Sequence, residues 1–95
     1  MEKYELVVIV DANAPQEKKE SILKETTDTI GKSEGKVINS QVWLDKHRLT
    51  FRLKKCLEGT YYTINFEAVP VAINKIRQYL KLNEEILRSL IVRVE

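Results

Sequence analysis

Hydrophobic positions along this chain recur with two periods, and the places where one period gives way to the other mark six elements. Lys3 to Val10 (KYELVVIV) is dense in β-branched and aromatic residues, which predicts a strand buried on both faces and therefore central. Asp11 to Ala14 is turn-like. Pro15 suits the first turn of a helix, where its missing N–H would have had no partner. From Gln16 onward Ile22, Leu23 and Ile30, with Thr26 and Thr27 between them, keep a spacing of three to four and predict a helix with a narrow apolar stripe under a charged outer face. Glu20 and Lys24 form an i,i+4 pair in the favourable order on that face. Gly31 to Gly35 (GKSEG) predicts the helix end, because glycine adopts the left-handed conformation that closes helices.

Alternation of period two then takes over. In Val37 to Leu44, Ile38, Val42 and Leu44 share one parity, with Ser40 the exception, while Asn39, Gln41 and Trp43 share the other. From Arg48 to Lys54 the alternation is strict, with Leu49, Phe51 and Leu53 on one side and the cations on the other. Lys55 to Gly59 (KCLEG) predicts a hairpin loop with Gly59 available for positive φ, and Thr60 to Ala68 a further strand paired antiparallel. Pro70 opens a second helix, with Ile73, Ile76, Tyr79 and Leu80 on one face. Asn83 and two glutamates interrupt it, and Ile86 to Val94 (ILRSLIVRV) supplies the last strand. The order β-α-β-β-α-β in so short a chain predicts an α+β, ferredoxin-like fold: one domain over residues 1–95, a four-stranded antiparallel sheet with both helices on one face. Its second and fourth strands are expected at the edges.

Composition narrows the function classes. A chain of 95 residues and 11.1 kDa supports one modest core, and 43% hydrophobic with 32% charged residues excludes a disordered or low-complexity segment. No apolar run approaches the length needed to span a bilayer, and the opening MEKYELVV has no signal-peptide pattern, so a cytoplasmic protein without membrane contact is expected. Cys56 and His47 are each the only residue of their kind, which excludes a disulfide framework and a thiolate zinc cluster. In an extended arm their nine-residue separation spans roughly 30 Å, too far for a catalytic dyad. Glu84 and Glu85 read as solvated turn charges, and Ser33 and Ser40 stand in no nucleophile motif. Neither GxxxxGKS nor GxGxxG is present. The expectation is a non-enzyme without cofactor, metal or small-molecule substrate.

Charge adds a direction. Residues 1–45 hold six Lys and Arg against nine Asp and Glu, whereas residues 46–95 hold ten against five. The densest stretch is Lys46 to Lys55 (KHRLTFRLKK), with five cations, His47 and no acid. Lysine and arginine along an exposed strand keep its edge soluble. The same cluster can contact phosphates, since clustered cations release counterions from nucleic acid. Trp43, Phe51, Tyr61 and Tyr62 could stack on bases or serve as packing, and Lys81, Arg88 and Arg93 could extend a basic surface. The RNA-recognition-motif signature [KR]-G-[FY]-[GA]-[FY]-V-x-[FY] is absent from both central segments, which favours shape or phosphate recognition over base reading on the sheet.

Over nearly its full length the chain resembles bacterial small-subunit ribosomal protein six. The resemblance is carried by Met1-Glu2-Lys3-Tyr4-Glu5-Leu6, by Gly35-Lys36-Val37-Ile38, by Arg48-Leu49-Thr50-Phe51-Arg52-Leu53, and by Asn83-Glu84-Glu85-Ile86-Leu87-Arg88-Ser89-Leu90-Ile91-Val92 in that order. The chain departs from the family pattern at Trp43-Leu44-Asp45, where Trp-Gly or a nearby glycine is usual, and at Thr50-Phe51-Arg52-Leu53, where Ala-Tyr-Pro-Ile is usual. The resemblance implies a structural constituent of the small ribosomal subunit that binds the central domain of small-subunit rRNA together with small-subunit ribosomal protein eighteen. Carried over position by position, it implies RNA contacts at Lys3, Lys46, His47, Arg48, Arg52 and Arg88. It also implies partner contacts along the second strand at Val37, Asn39, Gln41, Val42 and Trp43, where an added strand can hydrogen-bond. Two rivals share the fold. A ligand-sensing regulatory module would be helped by a glycine in the first loop, and an acylphosphatase-like enzyme needs an arginine there; Asp11 to Ala14 offers neither.

Overall fold

The computed structural model describes residues 2–53 and 56–94, with side chains described outside 44–57. The elements follow the predicted order: β1 (Glu2–Asp11), α1 (Gln16–Lys32), β2 (Lys36–Leu53), β3 (Cys56–Ala68), α2 (Pro70–Leu82) and β4 (Ile86–Val94). The strands form one antiparallel sheet in the order β2-β3-β1-β4, so β1 and β3 are central and β2 and β4 are the edges.

Period-two alternation builds the core. Tyr4, Leu6 and Val8 lie directly opposite Phe66, Ile64 and Tyr62, and directly paired residues project to the same side of a sheet. These side chains, with Val10 and Ala68, are buried beneath the two helices, and the Tyr4 and Phe66 rings stack at 5.5 Å between centroids. From above, α1 contributes Ile22 and Ile30, and α2 contributes Ala72, Ile73, Ile76 and Leu80. The expectation that β1 is buried on both faces holds only toward its end. On the face away from the helices Ile9 is buried, but Glu5 is half-buried and Lys3 exposed, because no second layer covers that side.

Three local expectations are corrected. Helix α1 does not close on a left-handed glycine: Gly31 lies within the helix, and the left-handed residue is Glu34, with φ 66°. The Gly35 N–H donates to the Ile30 carbonyl at 2.8 Å and the Glu34 N–H to the Gly31 carbonyl at 3.1 Å, the paired bonds of a Schellman closure with glutamate in the position glycine usually takes. Gly35 is needed for space. A Cβ there would lie 2.7 Å from Ile30 Cγ2 and 2.9 Å from the Ile30 carbonyl oxygen. Next, Cys56 to Gly59 is strand and not loop: Gly59 pairs with Asp11 on one side and His47 on the other, and no glycine has positive φ among the described residues. Finally, the Glu20 carboxylate is engaged by Gln16, at 3.4 Å, and not by Lys24.

The first loop is set by Asp11, whose Oδ1 accepts the Asn13 N–H at 2.9 Å and whose carbonyl accepts the Ala14 N–H at 3.1 Å. The turn into β4 is set by Asn83. Its Oδ1 accepts the Glu85 N–H at 3.0 Å, its Nδ2 donates to Tyr79 Oη at 3.1 Å, and its carbonyl accepts the Ile86 N–H.

Candidate nucleic-acid and partner interface

The register of the sheet sorts the candidate residues into two ends. One row of paired residues runs Arg88–Ile9–Tyr61–Leu44 across all four strands, and near it Asp11 and His47 flank Gly59. Beyond that point β2 and β3 continue alone, from Arg48 opposite Glu58 to Leu53 opposite Cys56, and form the projecting two-stranded arm. Lys46, His47, Arg48 and Arg52 therefore lie on β2 at or beyond the end of the sheet that also carries Arg88. Their side chains lie outside the described residues. Lys3 is at the opposite end, in the row Val94–Lys3–Glu67–Lys36, six residues along β1 from the partner of Arg88, or about 20 Å. The structure thus joins Arg88 to the arm and separates Lys3 from both.

The fold also revises the distance between the only histidine and the only cysteine. His47 is opposite Gly59, and Cys56 is three residues from Gly59 on the returning strand, so their backbones are offset by about 10 Å along the hairpin and not by 30 Å. Among the described residues no group of three or more His, Cys, Asp or Glu side chains is placed to hold a metal ion. Among the same residues no helix is long and apolar enough to cross a membrane.

The five candidate partner residues of β2 do not share one surface. Register shifts between Val37 and Asn39 and between Val42 and Leu44 re-aim the strand. Val37 packs against the core and Val42 lies opposite Tyr62, so both belong to the helix side. Asn39 and Gln41 lie opposite Asn65 and Thr63 on the open face, where Asn65 Nδ2 donates to Asn39 Oδ1 at 2.8 Å. Trp43 joins them there. Its ring stands edge-on to Tyr61 at 5.8 Å, and 56% of the residue is exposed.

Two hollows flank Trp43 on this open face. One, of about 420 Å³, is lined by Val7, Ile9, Trp43, Tyr61, Leu90 and Val92 together with Arg88 at its end. The other, of about 320 Å³, is polar, lined by Glu5, Gln41, Trp43, Thr63 and Asn65. Leu90, Val92 and Val94 are exposed along β4. Exposed aromatic and aliphatic groups with a polar rim, here including Glu5 and Arg88, are the composition of a protein interface.

Comparison with known proteins gives the family. The sequence model of the family described as Ribosomal protein S6 matches residues 3–93. The chain belongs to the ribosomal protein S6 family. The curated small ribosomal subunit protein bS6 of Paenarthrobacter aurescens is 35% identical over 95 residues, covering 100% of this chain and 93% of the relative. That of Dehalococcoides mccartyi is 34% identical over 92 residues, covering 97% and 84%. The crystal structure of 30S ribosomal protein S6 from Thermotoga maritima superposes with a TM-score of 0.89 over 98% of this chain and 87% of that one, at 22% identity, and so shares the fold. These relatives are ribosomal proteins and not enzymes, and the chain is a protein of that kind. At the position where this S6-family chain lacks the glycine after Trp43, the strand still shifts register between Val42 and Leu44.

One cation was missed by sequence reading. Arg77, on the exposed side of α2, lines a groove of about 510 Å³ together with Lys81 and Arg88. Its spacing of four from Lys81 was the available signal, since positions i and i+4 lie on one helix face. Arg93, by contrast, is neutralised by Glu2 at 2.6 Å.

Proposed function

We propose that this chain is a structural constituent of the small ribosomal subunit, working in the cytoplasm, that binds the central domain of small-subunit rRNA together with small-subunit ribosomal protein eighteen. Family membership supports the coarser part, a ribosomal protein of the small subunit and hence an rRNA-binding one. The observation that carries the finer part is the projection of the β2–β3 ribbon, with Lys46, Arg48 and Arg52 on its β2 strand, past the sheet at the end that also holds Arg88. Such a ribbon can lay cations along a phosphate chain with little sequence preference. For the protein partner, the support is the open outer edge of β2 and the solvent-exposed Trp43 between two hollows. An extended segment of protein eighteen pairing with β2 would reach Asn39, Gln41 and Trp43 on one face and Val37 and Val42 on the other. Lys3 is assigned to a separate contact at the far end of the sheet.

The test is binding of a central-domain rRNA transcript by the chain with protein eighteen across a salt series. Arg48→Ala and Arg52→Ala are each expected to lower the slope of log K against log salt by about 0.7 to 0.9 while leaving the melting temperature within a degree or two. Unchanged slopes for both variants would remove the arm from the RNA surface.

A further inference from the structure

The groove between α2 and β4 collects positive charge that the packing of the fold does not use. Arg77 and Lys81 stand one helical turn apart on α2, where like charges repel, and Arg88, which pairs with Ile9 and so belongs to the open face of the sheet, borders the groove at the rim of edge strand β4. No carboxylate lines the groove among the described residues, and none of its three cations forms an ion pair or side-chain hydrogen bond with another described residue. The nearest acids in sequence are in the turn before β4, where the Glu85 carboxylate is held by Lys18 at 3.2 Å. Helix α2 itself has no acidic residue from Pro70 to Leu82, although Lys75, Arg77 and Lys81 lie on it. Two unneutralised cations in the groove and a third at its rim raise the local concentration of anions.

We infer that this groove is a second phosphate-binding surface, in which Arg77 and Lys81 hold the backbone of an RNA strand that meets Arg88 as it passes the β4 edge. The inference rests on the rRNA-binding reading above and adds a site to it. The remaining chemistry of the groove suits a phosphodiester. Ser89 supplies a hydroxyl at its rim, and β4 is an edge strand whose outward backbone N–H groups are available as donors. Its position suits an RNA that also meets the arm. Arg88 and Leu44 are the ends of one row across four strands, about 14 Å apart at the usual strand spacing, so a single RNA element can touch the groove and the base of the arm together.

The decisive experiment compares the full chain with the R77Q/K81Q/R88Q variant in binding the central-domain transcript, with protein eighteen present, from 50 to 300 mM salt. The variant is expected to lose between ten- and a hundredfold in affinity near physiological salt, with the log–log slope reduced by about two. Lys75→Gln is the control for net charge, because Lys75 is an exposed cation of the same helix that does not line the groove; its slope is expected to match the unmodified chain. Circular dichroism melting reports whether the triple variant is folded, and the single variant Arg88→Gln, with an expected slope change of about 0.7 to 0.9, serves if it is not. A folded triple variant, or that single one in its place, binding with unaltered slope overturns the groove and leaves the rRNA reading standing. Equal losses for Lys75→Gln and the groove variants also overturn it, since diffuse charge would then explain the effect. Failure of the unmodified chain to bind the transcript refutes the underlying reading itself, and the groove with it.

Discussion

The two helices lie in one layer on one sheet, yet they carry their charge in opposite ways. Helix α1 has four carboxylates and four lysines along Gln16–Lys32, whereas α2 has three cations and no acid along Pro70–Leu82. Their inward faces are closely alike. Ile22, Thr26 and Ile30 of α1 and Ala72, Ile73, Ile76 and Leu80 of α2 are all buried. The apolar stripe thus decides where each helix sits, and the outward charge is left to serve something else. On α1 it cancels. On α2 it continues into the groove beside Arg88 and toward the basic end of the sheet.

The strongest way to break this comparison is to ask whether the two stripes hold the fold equally. Ile30→Ala in α1 and Ile76→Ala in α2 each empty a fully buried site, and each is expected to cost about 2 to 5 kcal/mol in urea unfolding. A loss under 1 kcal/mol at either position would show that helix to be a loosely held cover.

A finer contrast lies at the helix ends. Helix α1 closes through Glu34 and Gly35, while α2 closes through Asn83, in extended conformation and with no left-handed residue. Gly35→Ala is expected to destabilise by roughly 1 to 3 kcal/mol, because the new methyl meets the Ile30 side chain and backbone. Glu34→Gly should stabilise by about 0.5 to 1 kcal/mol by relieving a left-handed glutamate. Thermal unfolding of both variants checks the pair of opposite signs, and two shifts of the same sign would contradict this description of the closure.

The smallest effect concerns the contact between the start of α1 and the turn after α2. Lys18 and Glu85 are both about half exposed, so a double-mutant cycle with Lys18→Met and Glu85→Gln is expected to give a coupling below about 1 kcal/mol that fades in high salt. A larger, salt-resistant coupling would make this ion pair a true clamp between the two helical ends.

Much of the fold was legible because its signals are local. Pro15 and Pro70 mark helix starts to within one residue, and the stretch from Ile86 to Val94 is a strand over the range its composition predicts. Glycine misled twice, for different reasons. Gly59 lies in a strand because β3 begins at Cys56, four residues before the start the loop composition suggests, and Gly35 is required by close packing against Ile30 that sequence spacing does not reveal. Lys19 shows the same limit from the other side. A lysine in a charged run reads as solvated, yet it is 5% exposed, because position 19 falls three before Ile22 and seven before Thr26 on the inward face. Thr26 is tolerated there since its hydroxyl donates to the Ile22 carbonyl at 2.8 Å.

Of the candidate site, the basic character of residues 46–55 was plain from composition, since charge is a property of residues and survives without coordinates. Which cations act together was not. Lys3 and Arg88 look equivalent in sequence, and only the antiparallel register puts Arg88 beside the arm and Lys3 at the far end. The sequence by itself determined the element order, the core faces and the excess of positive charge in the second half, because period, propensity and ionisation act within a few residues. Tertiary structure decided the edges, the open face around Trp43 and the placing of Arg77 and Lys81 in a groove that Arg88 borders, because those depend on strand order and register, which bring distant segments together.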